Sequence, residues 1–333
     1  MTVSREIRLK SRPVGLPTAD NFELATVTLP DPGPGQVQVR NTWMTVDPYM
    51  RGRMNDVKSY TPPFQIGEAM QGGAVGEVVA SSDPAFAAGD LVQSFFGWRE
   101  AFNAPAAAVQ KLDTHGLPPQ AFLGVAGMPG MTAYVGLLRT AALKDGDVVF
   151  VSGAAGAVGQ IVAQIAKVKG HTVIASAGGA DKMAYLKSLG IDHVIDYKAE
   201  SDLTGAVMRA VPDGIDVYFD NVGGAHLEAA LMAAKPFGRF ALCGAISQYN
   251  ATDAGPGIRG LIMAVGKQLR LEGFIVSSHG DLQPAFLADM TKWISEGKIQ
   301  WRETVEEGIG AAPAAFLKLF SGDNLGKMLV RLS

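Results

Sequence analysis

A single cysteine, Cys243, is present in the 333 residues. One thiol excludes an internal disulfide and a cysteine-rich structural zinc site, and it suits a reducing compartment, so a cytoplasmic setting is expected. Histidine is scarce as well. His115, His171, His193, His226 and His279 are scattered, with no pair at metal-ligand spacing, so no metal site is expected. No run of about 18 apolar residues occurs, which argues against a membrane span. The opening MTVSREIRLKSRP has basic residues but neither an apolar core nor a cleavage site, so it does not read as a secretory signal. An excess of one charge is also missing. With 29 Lys plus Arg against 32 Asp plus Glu the net charge is -3, which is not the basic balance of a nucleic-acid binder.

Apolar and small residues are abundant. Hydrophobic residues make up 47% and charged residues 18%, enough to bury a sizeable core and too little charge for disorder. The length exceeds that of a usual single domain, so two are expected. The first third shows short β-like runs, Val37 to Arg40, Ala74 to Val79 and Leu91 to Phe96, bounded by Gly, Pro and Asp. The cluster Pro30-Asp-Pro-Gly-Pro-Gly35 reads as a turn whose prolines cannot sit in a central strand. This region is expected to be a β-rich domain.

From about residue 128 apolar strands alternate with helical stretches. Strands are expected at Val148 to Ser152, Thr172 to Ser176, His193 to Asp196, Ile215 to Phe219, Arg239 to Cys243 and Leu271 to Val276. Helices are expected at Val158 to Lys169, Asp181 to Leu189, Leu203 to Val211 and His226 to Ala234. Such alternation gives an α/β class with a doubly wound parallel sheet, whose ligands bind beyond the carboxyl ends of the strands. Those ends carry Gly153, Ala177-Gly178-Gly179, Asp220 to Gly224 and Gly244. In the tail, helices from about Leu282 to Glu296 and near Ala312 to Phe320 precede a final strand within Gly326 to Leu332.

The strongest local signal is VVFVSGAAGAVGQIVAQIAK, residues 148 to 167. A strand enters Gly153-Ala-Ala-Gly156-Ala157-Val158-Gly159 and an amphipathic helix follows. Gly156 allows close approach of a pyrophosphate, Gly159 permits tight helix–strand packing, and the helix start offers N–H groups to the anion. Ala154 replaces one glycine of the usual fingerprint. An NAD site usually has an acid at the end of the second strand for the ribose hydroxyls. Here that strand ends in Ala177-Gly178-Gly179, and Lys182 follows, placed to pair with a 2′-phosphate. Asp181 beside it weighs the other way, and the residues alone leave both NAD and NADP open. Asn221, in Tyr218-Phe-Asp220-Asn221-Val-Gly223-Gly224, suits either the nicotinamide half of a cofactor or a plain Asx turn. Cys243 reads as a core thiol rather than a nucleophile.

Together these segments resemble the zinc-independent medium-chain dehydrogenase/reductases, and more narrowly the NADP-dependent 2-alkenal, prostaglandin and leukotriene reductases with their bacterial relatives, including curcumin reductase. The resemblance is carried by Asp47-Pro-Tyr-Met-Arg51, Gly127 to Tyr134, Gly153 to Gly159, Phe219 to Gly224, Cys243 to Asn250, Glu296 to Gln300 and Gly322 to Lys327. It implies a GroES-like β domain over 1–127, a Rossmann NADP-binding domain over 128–298, and a last stretch, 299–333, that packs back onto the first domain. It further implies that NADPH is held at its 2′-phosphate by Lys182, Tyr197 and Asn324. The loop Gly156, Ala157, Val158 and Gly159 covers the pyrophosphate. Asn221, Cys243, Gly244, Ala245, Ile246, Ser247, Tyr249, Phe274, Ile275 and Val276 surround the rest, with Met128 and Thr132 near the nicotinamide. Zinc alcohol dehydrogenases of the wider superfamily carry a Gly-His-Glu segment; here Gly67-Glu68 lacks the histidine.

The expected reaction is NADPH-dependent reduction of the carbon–carbon double bond of an α,β-unsaturated aldehyde or ketone. Charge building on the carbonyl oxygen calls for a donor. Tyr249 is the first candidate and Tyr49 the second, with the cofactor's ribose hydroxyl as a substitute; each tyrosine could instead merely line the pocket. A quinone reductase, or a non-catalytic NADPH-binding protein on the same scaffold, are the alternatives. The resemblance implies a homodimer, and the segment Asn250 to Gly257 is where specificity would diverge.

Overall fold

The computed structural model describes residues 1–253, 255 and 257–332. The chain divides into two compact units. One comprises Met1–Leu123, Glu303–Asn324 and Met328–Ser333; the other comprises Gly124–Arg302 and Leu325–Lys327. Of the segments singled out above, Ala254 and Pro256 of the specificity stretch, and Ser333 of the tail, lie outside the described residues.

The first unit is β-rich. A ribbon pairs Thr2–Leu9 antiparallel with Phe22–Leu29, from Thr2 opposite Leu29 to Leu9 opposite Phe22. The main sheet runs in the order Glu303–Glu307, Lys327–Arg331, Gln36–Thr45, Ala74–Ser81, Leu91–Ser94, Gln110–Lys111, and Ala101–Pro105 also pairs with Gln36–Thr45. Its ring-rich core stacks Phe22 on Trp98 at 6.1 Å between centroids and sets Phe316 edge-on to both. Trp98 and Phe316 are fully buried, so each removes a large apolar area from water, which is the main force holding this unit together.

The second unit holds six parallel strands. They are β1 (Val148–Val151), β2 (Thr172–Ala177), β3 (His193–Asp196), β4 (Ile215–Asp220), β5 (Ala234–Leu242) and β6 (Arg270–Gly273). The order is β3-β2-β1-β4-β5-β6, the doubly wound Rossmann arrangement that the alternation of patterns indicates. The connecting helices are α1 (Gly159–Val168), α2 (Ala180–Ser188), α3 (Leu203–Ala210) and α4 (Gly224–Ala233). The central strands β1, β2 and β4 are mostly buried because both faces are covered, whereas the edge strand β6 is largely exposed. Phe150, Ile174, Tyr218 and Phe240 of the sheet pack against Val207 of α3 and Leu231 of α4.

β5 begins five residues before the expected Arg239. Pro236-Phe-Gly238 reads as a turn, yet the chain stays in the sheet through an irregularity. Phe237 adopts φ 63° and the register with β4 shifts between Ile215 and Val217. β6 in turn stops at Gly273, short of the expected Val276. The Phe274 ring turns inward instead, edge-on to Phe219 at 6.1 Å and over Gly136, where a Cβ would stand 2.5 Å from it. No helix among the described residues is long and apolar enough to cross a membrane.

Candidate functional site

β1 ends at Val151 and the chain turns through Gly153, which takes φ 58°. The amide of Gly156 donates back to Gly153 O at 3.0 Å, closing the turn, and α1 then starts at Gly159. A Cβ on Gly159 would meet Gly153 O at 2.3 Å and Ala154 Cα at 2.7 Å, so only glycine allows the helix to leave at this angle. No side chain caps α1, and Gly156, Ala157 and Val158 are half-exposed. The start of α1 therefore presents backbone N–H groups and the positive end of its dipole, the chemistry that receives a phosphate. Gly326 buttresses this turn by donating to Ala155 O at 2.8 Å.

The turn after β2 has a different chemistry. Gly179 takes φ 102° and precedes α2, and Asp196 at the end of β3 accepts its amide at 3.2 Å. Lys182 lies in the first turn of α2 and is half-buried. Tyr197, 37% exposed, sets its ring edge-on to His226 at 5.0 Å. His226 Nε2 and Ser176 Oγ are 3.0 Å apart, and burial pulls the imidazole down to about 4 from its usual 6.5, which keeps it neutral under Tyr197.

The carboxyl end of β4 is pinned by Asp220. Its Oδ1 accepts from Ser152 Oγ at 3.1 Å, Tyr218 Oη at 2.7 Å, and the amides of Val222 at 2.9 Å and Gly223 at 2.8 Å. Four donors on one buried oxygen hold the carboxylate and fix the turn, in which Gly223 and Gly224 have φ 72° and 51°. Asn221 donates its backbone N–H to Ser152 Oγ at 2.9 Å and its side-chain amide to Ser152 O at 2.8 Å. The turn is built by Asp220, and the Asn221 side chain is engaged with the end of β1. The sequence pattern points to Asn221 but not to Asp220, Ser152 and Tyr218, whose roles depend on contacts between strands.

The segment Cys243 to Tyr249 is stitched to the same turn. Cys243 and Gly244 donate to Asp220 O, and Ile246 and Ser247 donate to Asn221 O and Val222 O. Cys243 is half-exposed and lines the rim rather than the core, yet desolvation, helped by Asp220, pushes its thiol up to about 12, so it stays protonated at neutral pH. Tyr249 Oη lies 3.4 Å from the Ala245 amide nitrogen and close over Gly244, where a Cβ would stand 2.9 Å from it. A groove of about 630 Å³ opens at this rim, lined by Gly223, Cys243, Gly244, Phe274 and Ile275 among others. Ile275 is 37% exposed and Val276 starts a short 3-10 turn.

Met128 and Thr132 lie one turn apart on the helix Met128–Val135, where Thr132 Oγ1 donates to Met128 O at 2.7 Å. The second unit therefore carries most of the expected cofactor residues, from Met128 through Val276. Tyr49 and Asn324 belong to the first unit. There Tyr49 is half-buried beside Asp47 and is hydrogen-bonded with Arg53; desolvation and the nearby carboxylate hold its phenol well above the usual range.

Residues 5–112 match the family described as the N-terminal domain of oxidoreductase, and residues 157–292 the family described as zinc-binding dehydrogenase. Rat (Rattus norvegicus) prostaglandin reductase 1 is 42% identical over 99% of this chain and 100% of its own. The NADP(+)-dependent 2-alkenal reductase of tobacco (Nicotiana tabacum) is 41% identical over 99% of this chain and 98% of its own. The crystal structure of CurA from Vibrio vulnificus in complex with NADPH superposes with a TM-score of 0.94 at 42% identity, covering 99% of each chain. The chain belongs to the medium-chain dehydrogenase/reductases, beside the prostaglandin and 2-alkenal reductases. It is an oxidoreductase of that family, and the fold class read from the sequence is the family's. Zinc needs three or four clustered Cys, His or carboxylate ligands, and among the described residues no three of them come together.

Proposed function

We propose that this oxidoreductase uses NADPH to reduce the carbon–carbon double bond of α,β-unsaturated aldehydes and ketones, as a cytoplasmic homodimer acting without zinc. The end of β2 carries the cofactor reading. Where an NAD site places a carboxylate against the ribose hydroxyls, this chain has Ala177-Gly178-Gly179 followed by Lys182. The uncapped start of α1 behind Gly156 fits the pyrophosphate, and the space that only Gly159 leaves keeps it open. The substrate reading rests on the relatives, whose names include a 2-alkenal reductase. Bound NADPH supplies the hydride that reaches the β-carbon.

The protein's own part is holding and hydrogen-bond donation, and the enolate left by hydride transfer takes its proton from solvent. Lys182, Tyr197 and Asn324 take the 2′-phosphate, the loop Gly156 to Gly159 the pyrophosphate, and Asn221 with Cys243 to Tyr249 and Phe274 to Val276 the remainder. Met128 and Thr132 stand by the nicotinamide. A neutral phenol then donates a hydrogen bond to the substrate carbonyl oxygen as charge grows there. Tyr249 is assigned that task because its hydroxyl sits over Gly244, which lines the groove. Tyr49 is the second choice. The homodimer is supported by β6, an edge strand with β5 as its one neighbour among the described residues, and by the exposed Ile262 and Val265 on the short helix Ile262–Gly266.

The test follows NADPH absorbance with an enone, a quinone and NADH in parallel. Rapid enone turnover with NADPH and little with NADH or quinone is expected. In Tyr249→Phe, kcat falls about 100-fold, the size seen when one oxyanion donor is removed, while NADPH affinity changes little. An unchanged kcat removes Tyr249 from the mechanism, and quinone turnover exceeding enone turnover replaces the substrate class.

A further inference from the structure

Two lysines, not one, stand at the turn after β2. Lys198 follows β3, and its amide donates to Asp196 Oδ1 at 3.0 Å. The same carboxylate accepts the Gly179 amide, so Asp196 ties the turn after β3 to the turn after β2. The Lys198 side chain then crosses directly over Gly178. A Cβ built on Gly178 would stand 2.9 Å from Cγ, Cδ and Cε of Lys198 alike. Three successive carbons at one distance mean that the stem runs along the backbone at Gly178, while Lys198 as a whole stays exposed. A side chain at position 178 would have to push that stem aside. Lys167 and Lys235 are held by Asp192 and Asp216, whereas Lys198 has no ion pair among the described residues.

We propose that Lys198 is a second cation for the phosphate ester on the adenosine ribose, and so a determinant of NADPH over NADH. This rests on the reading of NADPH as cofactor. The physical reason is positional. β2 itself ends without a carboxylate, the one at this turn being Asp196 of β3, which is engaged by the Gly179 and Lys198 amides. The Lys198 stem crosses Gly178 at that same end of β2, where the ribose hydroxyls of a bound dinucleotide lie. An ammonium there attracts an added dianion and has little to offer an unmodified ribose. Gly178 has a double function: it removes the acid that favours NAD and makes the bed that brings Lys198 into place.

Equilibrium binding of NADPH and of NADH to the full-length chain, read by tryptophan quenching at several salt concentrations, tests this. In Lys198→Gln the Kd for NADPH is expected to rise about 5- to 10-fold, the range of one charge-assisted contact, with that for NADH within about twofold. The salt dependence of NADPH binding becomes shallower, and Lys198→Arg recovers most of the affinity. Gly178→Ala, which displaces the stem, shifts NADPH affinity in the same direction by less. Unchanged NADPH binding in Lys198→Gln, or an equal loss for both nucleotides, overturns the proposal. If Lys182→Gln erases the preference while Lys198→Gln preserves it, only the second cation is wrong. If the unaltered chain binds NADH as tightly as NADPH, the cofactor reading falls and this proposal with it.

Discussion

At the amino ends of the six parallel strands charges meet in pairs, whereas at their carboxyl ends Asp196 and Asp220 are held by backbone amides and hydroxyls rather than by cations. Asp147, just before β1, bonds Arg239 of β5 at 2.5 Å with both side chains about nine-tenths buried, and Arg239 also donates to Ala142 O at 2.8 Å. Asp216 of β4 bonds Lys235 of β5 at 2.7 Å and accepts the Val148 amide at 2.9 Å. The opposite edge holds turns at Gly153, Gly179 and Gly223, an uncapped helix, a protonated thiol and a neutral histidine. One edge satisfies its polar groups internally and is finished as a structure. The other leaves donors and space for something outside the chain. Both arise from one strand register, so the division is between stability and binding rather than between two domains.

The largest expected effect breaks the finished edge. Asp147→Asn leaves the Arg239 guanidinium buried without its carboxylate, and removing one member of a buried pair costs about 3–5 kcal/mol. Chemical denaturation should show a loss of that size. NADPH affinity, measured below the shifted midpoint, should stay within about twofold. A large loss of NADPH binding in a still folded variant would erase the distinction between the edges.

The next effect is a pH dependence at the open edge. Unfolded, His226 takes up its proton near 6.5; folded, burial holds it down to about 4. As pH falls below 6.5 the unfolded chain binds the proton first, so the stability that the neutral ring gives at pH 7 drains away until about pH 4. At most about 3 kcal/mol is at stake. His226→Gln can keep a hydrogen bond to Ser176 without titrating. The difference between the two stability–pH curves should therefore grow between pH 7 and 4, and a flat difference would show that the ring is not held neutral.

The open edge is the part that sequence patterns disclose best. A glycine at a strand end is forced by local backbone geometry, so Gly153, Gly159, Gly179 and Gly223 mark the rim in the order of residues alone. Charge pairs such as Asp147–Arg239 are 92 residues apart in sequence and leave no local trace. The same holds for Gln160 and Gln164. In pattern they are polar interruptions of α1, but they clip residues 300 to 302 through Gln300 and Arg302. The ribbon Thr2–Leu9 with Phe22–Leu29 escapes pattern reading because its strands expose many positions, which blurs a clean alternation. Tyr249 is legible as a residue type, whereas the seat of its hydroxyl over Gly244 and Ala245 depends on the loop's own turn.

The smallest expected effect sharpens the comparison most, because it separates binding from stability within one turn. Gly156 has no positive φ, and a Cβ there would stand 3.2 Å from Gly153 O, a contact that a shift of a few tenths of an ångström relieves. Gly156→Ala should therefore fold with a stability change below about 1 kcal/mol. Its methyl nevertheless joins the half-exposed side of the turn, beside the amides of Ala157 and Val158, where close approach of a pyrophosphate needs bare backbone. A rise in the NADPH Kd of about tenfold is expected, near 1.4 kcal/mol. Gly159→Ala is the control, since its Cβ would strike backbone at 2.3 Å and cost stability as well as affinity. If Gly156→Ala binds NADPH normally while Gly159→Ala merely loses stability, the turn is packing alone, and the open edge must receive its nucleotide elsewhere.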